Sequence, residues 1–110
     1  MSGRNKTQKK RTWPSRLHLY SNPRTAQFNA YKYLGRTAKL YPASNSQKTY
    51  SIFDKKNNRW VNFGQMGYED FTKHHDKVRR MNYLTRSGRI KGHWNRNRYS
   101  ANNLSRKILW

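Results

Sequence analysis

The sequence predicts an α+β fold: a small antiparallel β-hairpin or sheet followed by short C-terminal helices, with an extended basic N-terminal arm. Three observations carry this reading. Two β-rich runs, 48–53 and 59–63, flank the polar stretch Asp54-Lys55-Lys56-Asn57-Asn58, the pattern of a hairpin. Past Gly64 the alternation stops and helix-start residues take over, with Asp76 and Ser100 each ahead of a helical pattern. Ahead of Phe28 the chain is polar, basic and broken by Pro14 and Pro23.

In chain order, residues 1–12 read as a basic arm, with Arg4, Lys6, Lys9, Lys10 and Arg11 and nothing apolar after Met1. Residues 13–27 carry Trp13, Leu17, Leu19 and Tyr20 between prolines, which predicts an extended segment whose rings are used only on a partner. The expected division is therefore an arm over 1–27 and a domain over 28–110. Strand character starts at Ala30-Tyr31-Lys32-Tyr33-Leu34, turns at Gly35-Arg36-Thr37, and resumes at Ala38-Lys39-Leu40-Tyr41. Pro42 to Gln47 is a loop, and the hairpin follows. Gly64-Gln65-Met66-Gly67 reads as a turn rather than a phosphate cradle. Tyr68 to His75 predicts a short helix with Glu69 and Asp70 in its first turn, where the helix dipole favours acids. Asp76 caps a helix over Lys77–Arg86 that Gly88 closes. Ser100 caps another, leading through Leu104, Ile108 and Leu109 to Trp110. The expected core is Tyr50, Ile52, Trp60, Val61, Phe63, Phe71, Val78, Met81 and Leu84, bordered by Tyr68 and Tyr83.

Composition narrows the function. The 110 residues allow one small domain, 33% of them apolar and 15% aromatic, with no cysteine to form a disulfide or thiolate site. Lys and Arg number 25 against 4 Asp and Glu, a net charge of +21 that opposes compaction unless a polyanion or acidic surface supplies the counter-charge. All four acids fall within residues 54–76, and that neutral middle is expected to be the centre of the fold. No apolar run is long enough for a membrane span, and the basic start lacks a signal-peptide apolar region. The expectation is a protein of the cytosol or nucleus, or of a particle assembled there, with its two N-glycosylation sequons read as chance.

Catalysis needs matched acid and base groups, or a nucleophile beside its base. The four carboxylates sit at expected caps, first turns and loops. His18, His74, His75 and His93 come without a completing ligand set. The chain is expected to be no enzyme, with no cofactor, metal or small-molecule substrate. Two basic sets remain as candidate sites for a polyanion or acidic partner: the arm residues Arg4, Lys6, Lys9, Lys10 and Arg11, and the later set Arg79, Arg80, Arg86, Arg89, Lys91, Arg96 and Arg98. Tyr83, Trp94 and Tyr99 interleave with the second. Arginine alternating with aromatics suits single-stranded nucleic acid, and equally suits protein interfaces, with Trp13, Tyr20, Trp94, Tyr99 and Trp110 as anchors.

From Trp60 to Trp110, one string is distinctive: Val61-Asn62-Phe63-Gly64-Gln65-Met66-Gly67-Tyr68-Glu69-Asp70-Phe71-Thr72-Lys73-His74, then Asp76, Arg79-Arg80, Tyr83-Leu84, Trp94 and the ending Ile108-Leu109-Trp110. It resembles a family of small basic proteins of nucleocytoplasmic large DNA viruses, including those of algae and amoebae. The resemblance implies a virion protein and no catalytic residue. Two roles follow as expectations. One is a minor capsid or internal scaffold protein on the inner side of an icosahedral shell, gripping neighbouring capsid proteins or anionic lipid head groups. The other is a DNA-binding or DNA-condensing virion protein that reads no sequence. An RNA-binding or ribosome-associated role suits the same charge.

Overall fold

The computed structural model describes residues 12–110; the expected arm cations Arg4, Lys6, Lys9, Lys10 and Arg11 lie outside the described residues. Helix α1 spans Pro23–Leu34. Its start is specified locally: the Asn22 side chain accepts from the Arg24 and Thr25 N–H groups, and Pro23 sits in the first turn, where its missing N–H costs nothing. Gly35, at φ 105°, ends it. Ahead of α1, a 3₁₀ turn over Ser15–Leu19 buries Leu17 completely.

These elements overturn two expectations. Residues 13–27 are not an extended arm, since Leu17 and Ala26 are core residues and α1 runs across the expected boundary at Phe28. The run Ala30 to Leu34 is helical rather than strand: its rings at 31 and 33 mimic a strand, but Ala26, Ala30 and Gln27 supply the helical buried stripe.

The sheet is three-stranded and antiparallel, in the order β1 (Tyr41–Pro42), β2 (Tyr50–Asp54), β3 (Arg59–Phe63). The β2–β3 hairpin has Tyr50 opposite Phe63 and Ile52 opposite Val61. That register sends Tyr50, Ile52, Val61 and Phe63 to the inner face and Phe53 and Trp60 to the outer one. Trp60, expected in the core, instead packs edge-on against Tyr41 and Phe53 on the outer face, at 5.3 and 5.4 Å between ring centres. In the hairpin loop the buried Asp54 carboxylate accepts from the Lys56 and Asn57 N–H groups and from Asn57 Nδ2. Gly64 follows at φ 83°, and a Cβ there would lie 1.8 Å from Thr49 Oγ1, so the turn out of β3 requires glycine.

The helices beyond the sheet are α2 (Phe71–His74), α3 (Lys77–Gly88) and α4 (Ala101–Leu104), the last running into a π-helical turn, Ser105–Leu109. Asp70, Asp76 and Ser100 are their N-caps, each accepting from backbone N–H groups. The architecture is α+β, as expected.

The core comprises Leu17, Ala26, Ala30, Ala38, Leu40, Tyr50, Ile52, Phe63, Leu104, Ile108 and Leu109. Of these only Phe63 belongs to the charge-neutral stretch 54–76, so the centre of the fold is built from the strongly basic flanks. Val78 and Met81, expected inside, are 67% and 66% exposed. Helix α3 fully buries only Ser87; Tyr83 and Leu84 are half-buried, and Val78 and Met81 face solvent.

A buried hydrogen-bond chain ties three separate segments together. The Tyr50 hydroxyl lies 2.7 Å from Ser21 Oγ, which lies 3.1 Å from Thr72 Oγ1, which donates to Asp70 Oδ1. The Asn22 N–H also donates to Thr72 Oγ1. Each hydroxyl has one hydrogen, so the donors run from Tyr50 through Ser21 and Thr72 to the carboxylate. Burial pushes the Asp70 carboxyl up to about 6, against the hydrogen bonds from Thr72 that favour its charged form.

Two outcomes follow. A chain starting at Phe28 lacks Leu17, Ala26 and Ser21 and is expected to show no cooperative thermal transition, whereas one starting at Thr12 retains it; calorimetry distinguishes them. Between pH 4 and 6 the folded state holds an Asp70 proton that the unfolded chain has released, so stability falls as pH rises through that window. Asp70→Asn is expected to lose this pH dependence, about 2 kcal/mol over the window, in melts of both proteins at each pH.

Candidate functional site

Helix α3 stands off the body of the protein, and what holds it is polar and aromatic. Tyr83 stacks flat on Trp110, with ring centres 4.2 Å apart and planes within 10°. Arg106 reaches from the π turn to donate to the Leu84 carbonyl at 2.6 Å and to Ser87 Oγ at 2.7 Å. Asn102 donates to the Ser87 carbonyl at 3.0 Å, and the Arg80 guanidinium bonds the Trp110 carbonyl while lying 5.5 Å over the Phe71 ring. A helix held this way leaves a cleft on each side.

The cleft between α3, α1 and the π turn, about 1160 Å³, is the cationic one. Lys32 from α1, Lys77 and Arg80 from α3, and Arg106 and Lys107 from the π turn line it, with no acidic side chain. Tyr33, Phe71 and Trp110 supply aromatic wall. Five cations converging without a carboxylate repel one another, and a row of phosphates relieves that repulsion while releasing counterions. The cleft on the other side, about 870 Å³, mixes Lys48, Arg79 and Arg86 with Glu69 and Asp70, and its field is correspondingly weaker.

Asp70 invites a catalytic reading, since a carboxyl titrating near 6 beside a cleft fits a general acid. Its hydrogen bonds argue otherwise: Oδ1 is taken by the Thr72 N–H and hydroxyl, which makes the group the cap of α2. His74 is similarly placed for structure. Its Nδ1 accepts from the Asp76 N–H at 2.9 Å, and its ring packs 5.1 Å from Trp110. Desolvation and then Arg79 hold its pKa below the ordinary value, so the neutral ring that this hydrogen bond requires is favoured.

The expected binding residues divide. Arg86, Arg89, Lys91 and Arg96 are exposed at or beyond the end of α3, with Arg86 5.8 Å over the Tyr83 ring. Arg79 pairs with Glu69 at 3.3 Å, the one ion pair among the described residues. Arg98 is used in the fold: it lies 5.2 Å over the Tyr33 ring and bonds the Tyr33 carbonyl, while the Tyr33 hydroxyl donates back to the Arg98 carbonyl. Of the expected set only Arg80 lines the acid-free groove.

The expected interface anchors are all half-buried, and each makes contacts within the chain. Trp13 packs edge-on against Tyr50 at 5.4 Å. The Tyr20 carbonyl accepts from the Asp70 N–H, and its side chain is half-buried. Trp94 donates from Nε1 to the Ile90 carbonyl at 2.7 Å beneath the Arg106 guanidinium, and Tyr99 packs on the core. Trp110 carries α3.

Lys32, Lys77, Arg106 and Lys107 do not stand out in the sequence. Lys32 is hidden by the strand-like look of 30–34. On a helix, Asn29, Lys32 and Tyr33 share one edge, and all three line the groove. Trp110→Ala is expected to raise amide hydrogen exchange across 77–88 and leave 50–63 protected, because the ring holds α3 and not the sheet.

Residues 38–87 match a family of unknown function (DUF5754). That segment takes in the sheet, α2 and α3 and leaves out α1, α4 and the π turn. No curated protein and no solved structure matches the chain.

Proposed function

We propose that this chain is a non-catalytic structural protein that binds nucleic acid through its phosphates, without sequence readout, using the α1–α3 groove and the neighbouring cations. The observation that carries the reading is the convergence of Lys32, Lys77, Arg80, Arg106 and Lys107 from three separate elements on one cleft with no acid in its lining. In the setting that the resemblance to large DNA virus proteins implies, the polymer is packaged DNA and the protein is a DNA-condensing component of the virion. Trp94, Tyr99 and Trp110 are each engaged by contacts within the fold, whereas the groove cations face no acid, which favours the phosphate partner over the protein one.

A second reading, the minor capsid or scaffold role, draws on a different observation. Val78 and Met81 are exposed one helical turn apart on α3, with Ile90, 53% exposed, beyond its end. Apolar side chains presented on a cationic helix suit an acidic protein neighbour in a shell.

Fluorescence anisotropy with a labelled DNA duplex over a salt series tests the first reading. Tight binding with a steep negative slope of log K against log salt is expected. The double variant Lys77→Gln, Lys107→Gln is expected to flatten that slope by about 2, near 0.9 for each phosphate that is no longer neutralised. Val78→Ser, outside the groove lining, is expected to leave DNA binding unchanged. An unaltered slope in the lysine variant, with the protein remaining on DNA-free shells, would establish the scaffold role instead.

A further inference from the structure

A second cleft lies where α1 begins, about 520 Å³, and neither the fold nor the phosphate groove uses it. Its walls are Trp13, Phe28 and Tyr31, with His18 and Arg24 at its edge. Trp13 turns one edge to Tyr50 and is only half-buried, so ring surface remains on the cleft side. Phe28 is 60% exposed, so its ring is open to a partner.

The lining of the cleft carries Arg24 and no acidic side chain, and Arg16 is exposed two residues before His18. The cleft also adjoins the phosphate groove: the Lys32 ammonium lies 4.9 Å over the Phe28 ring, one helical turn on, and the same Lys32 lines the groove. Aromatic surface and the cationic groove are thus joined through Lys32 along one side of α1.

We infer that this cleft is a base-stacking site for single-stranded nucleic acid, taking an unpaired nucleobase between Trp13 and Phe28 while the backbone runs past Lys32 into the α1–α3 groove. Every nucleobase has a π-face, so such a site needs no sequence preference, and only an unpaired strand can present that face. A duplex keeps its bases stacked within itself and meets only the cations. The inference rests on the nucleic-acid reading above and deepens it by naming the strand state.

The test measures a labelled oligo-dT strand of about 20 nucleotides and a duplex of the same length, by anisotropy at one salt concentration, with circular dichroism confirming the fold. Phe28 is exposed, so Phe28→Ala is expected to fold normally, to weaken the single strand by about tenfold, and to leave the duplex unchanged. Phe28→Trp, which restores a stacking ring, is expected to return single-strand affinity to at least the original. Equal weakening of both polymers, or no change in either, overturns the stacking site while the phosphate-binding reading stands. Failure of the unmodified protein to bind either polymer overturns both.

Discussion

The fold depends on the burial of one turn near its C-terminal end. Leu104, Ile108 and Leu109 fill the space between α1 and the inner face of the sheet. Polar bonds from the same turn fix its neighbours. Asn29 of α1 donates to the Ile108 carbonyl, the Gly64 N–H donates to Ser105 Oγ, and Arg106 and Trp110 hold α3. The i to i+5 bond from the Trp110 N–H to the Ser105 carbonyl widens the turn, so that Ile108 and Leu109 both point inward while Arg106 and Trp110 reach the other way. Core and binding groove therefore share one element, and the groove cannot form without the core.

That dependence bears on how a chain of net charge +21 compacts at all. Its four carboxylates are each committed to local structure: Asp54 to the hairpin loop, Asp70 and Asp76 to helix caps, Glu69 to Arg79. None is left to neutralise the groove. Several cations are instead occupied on ring faces and backbone carbonyls: Arg80 on Phe71, Arg98 on Tyr33, Arg106 on Trp94. Such contacts use a guanidinium as packing material without consuming an acid. These contacts hold Arg80 and Arg106 in place without neutralising them, so the repulsion among the five groove cations remains, to be relieved by a partner.

The hairpin, the three N-caps and the α+β class are legible in the sequence because each is a local matter, set by an Asp-Asn loop or by a Ser or Asp ahead of a helical run. The parts that mislead all turn on tertiary packing. Tyr31 and Tyr33 alternate like a strand, and only Ala26 and Ala30, too small to register as core in a sequence, show the helix to be buried along another face. Val78 and Met81 have helical spacing, but α3 meets the body through Tyr83 and Ser87 instead, and both side chains stay in solvent. Trp13 and Leu17 look like a tether because nothing local says that Ser21 will meet Thr72. The groove is illegible for the same reason: its five cations come from positions 32 to 107, brought together only by the π turn.

The distribution of aromatic residues completes the physical case. Chains that bind through rings leave them projecting, and chains that bind through charge leave a cationic surface on a firm base. Here most rings are folded in, where they brace α3 and the sheet, and the cations form the outer layer. Phe28 and Tyr68 depart from that rule, and Phe28 is exposed on α1 beneath the Lys32 ammonium, at the border between the phosphate groove and an aromatic cleft. A phenyl ring in that position adds nothing to the core and leaves apolar surface in water. Its exposure is explained if a flat, anionically tethered ring is what it meets, and the nucleobases of a single strand are rings of that kind.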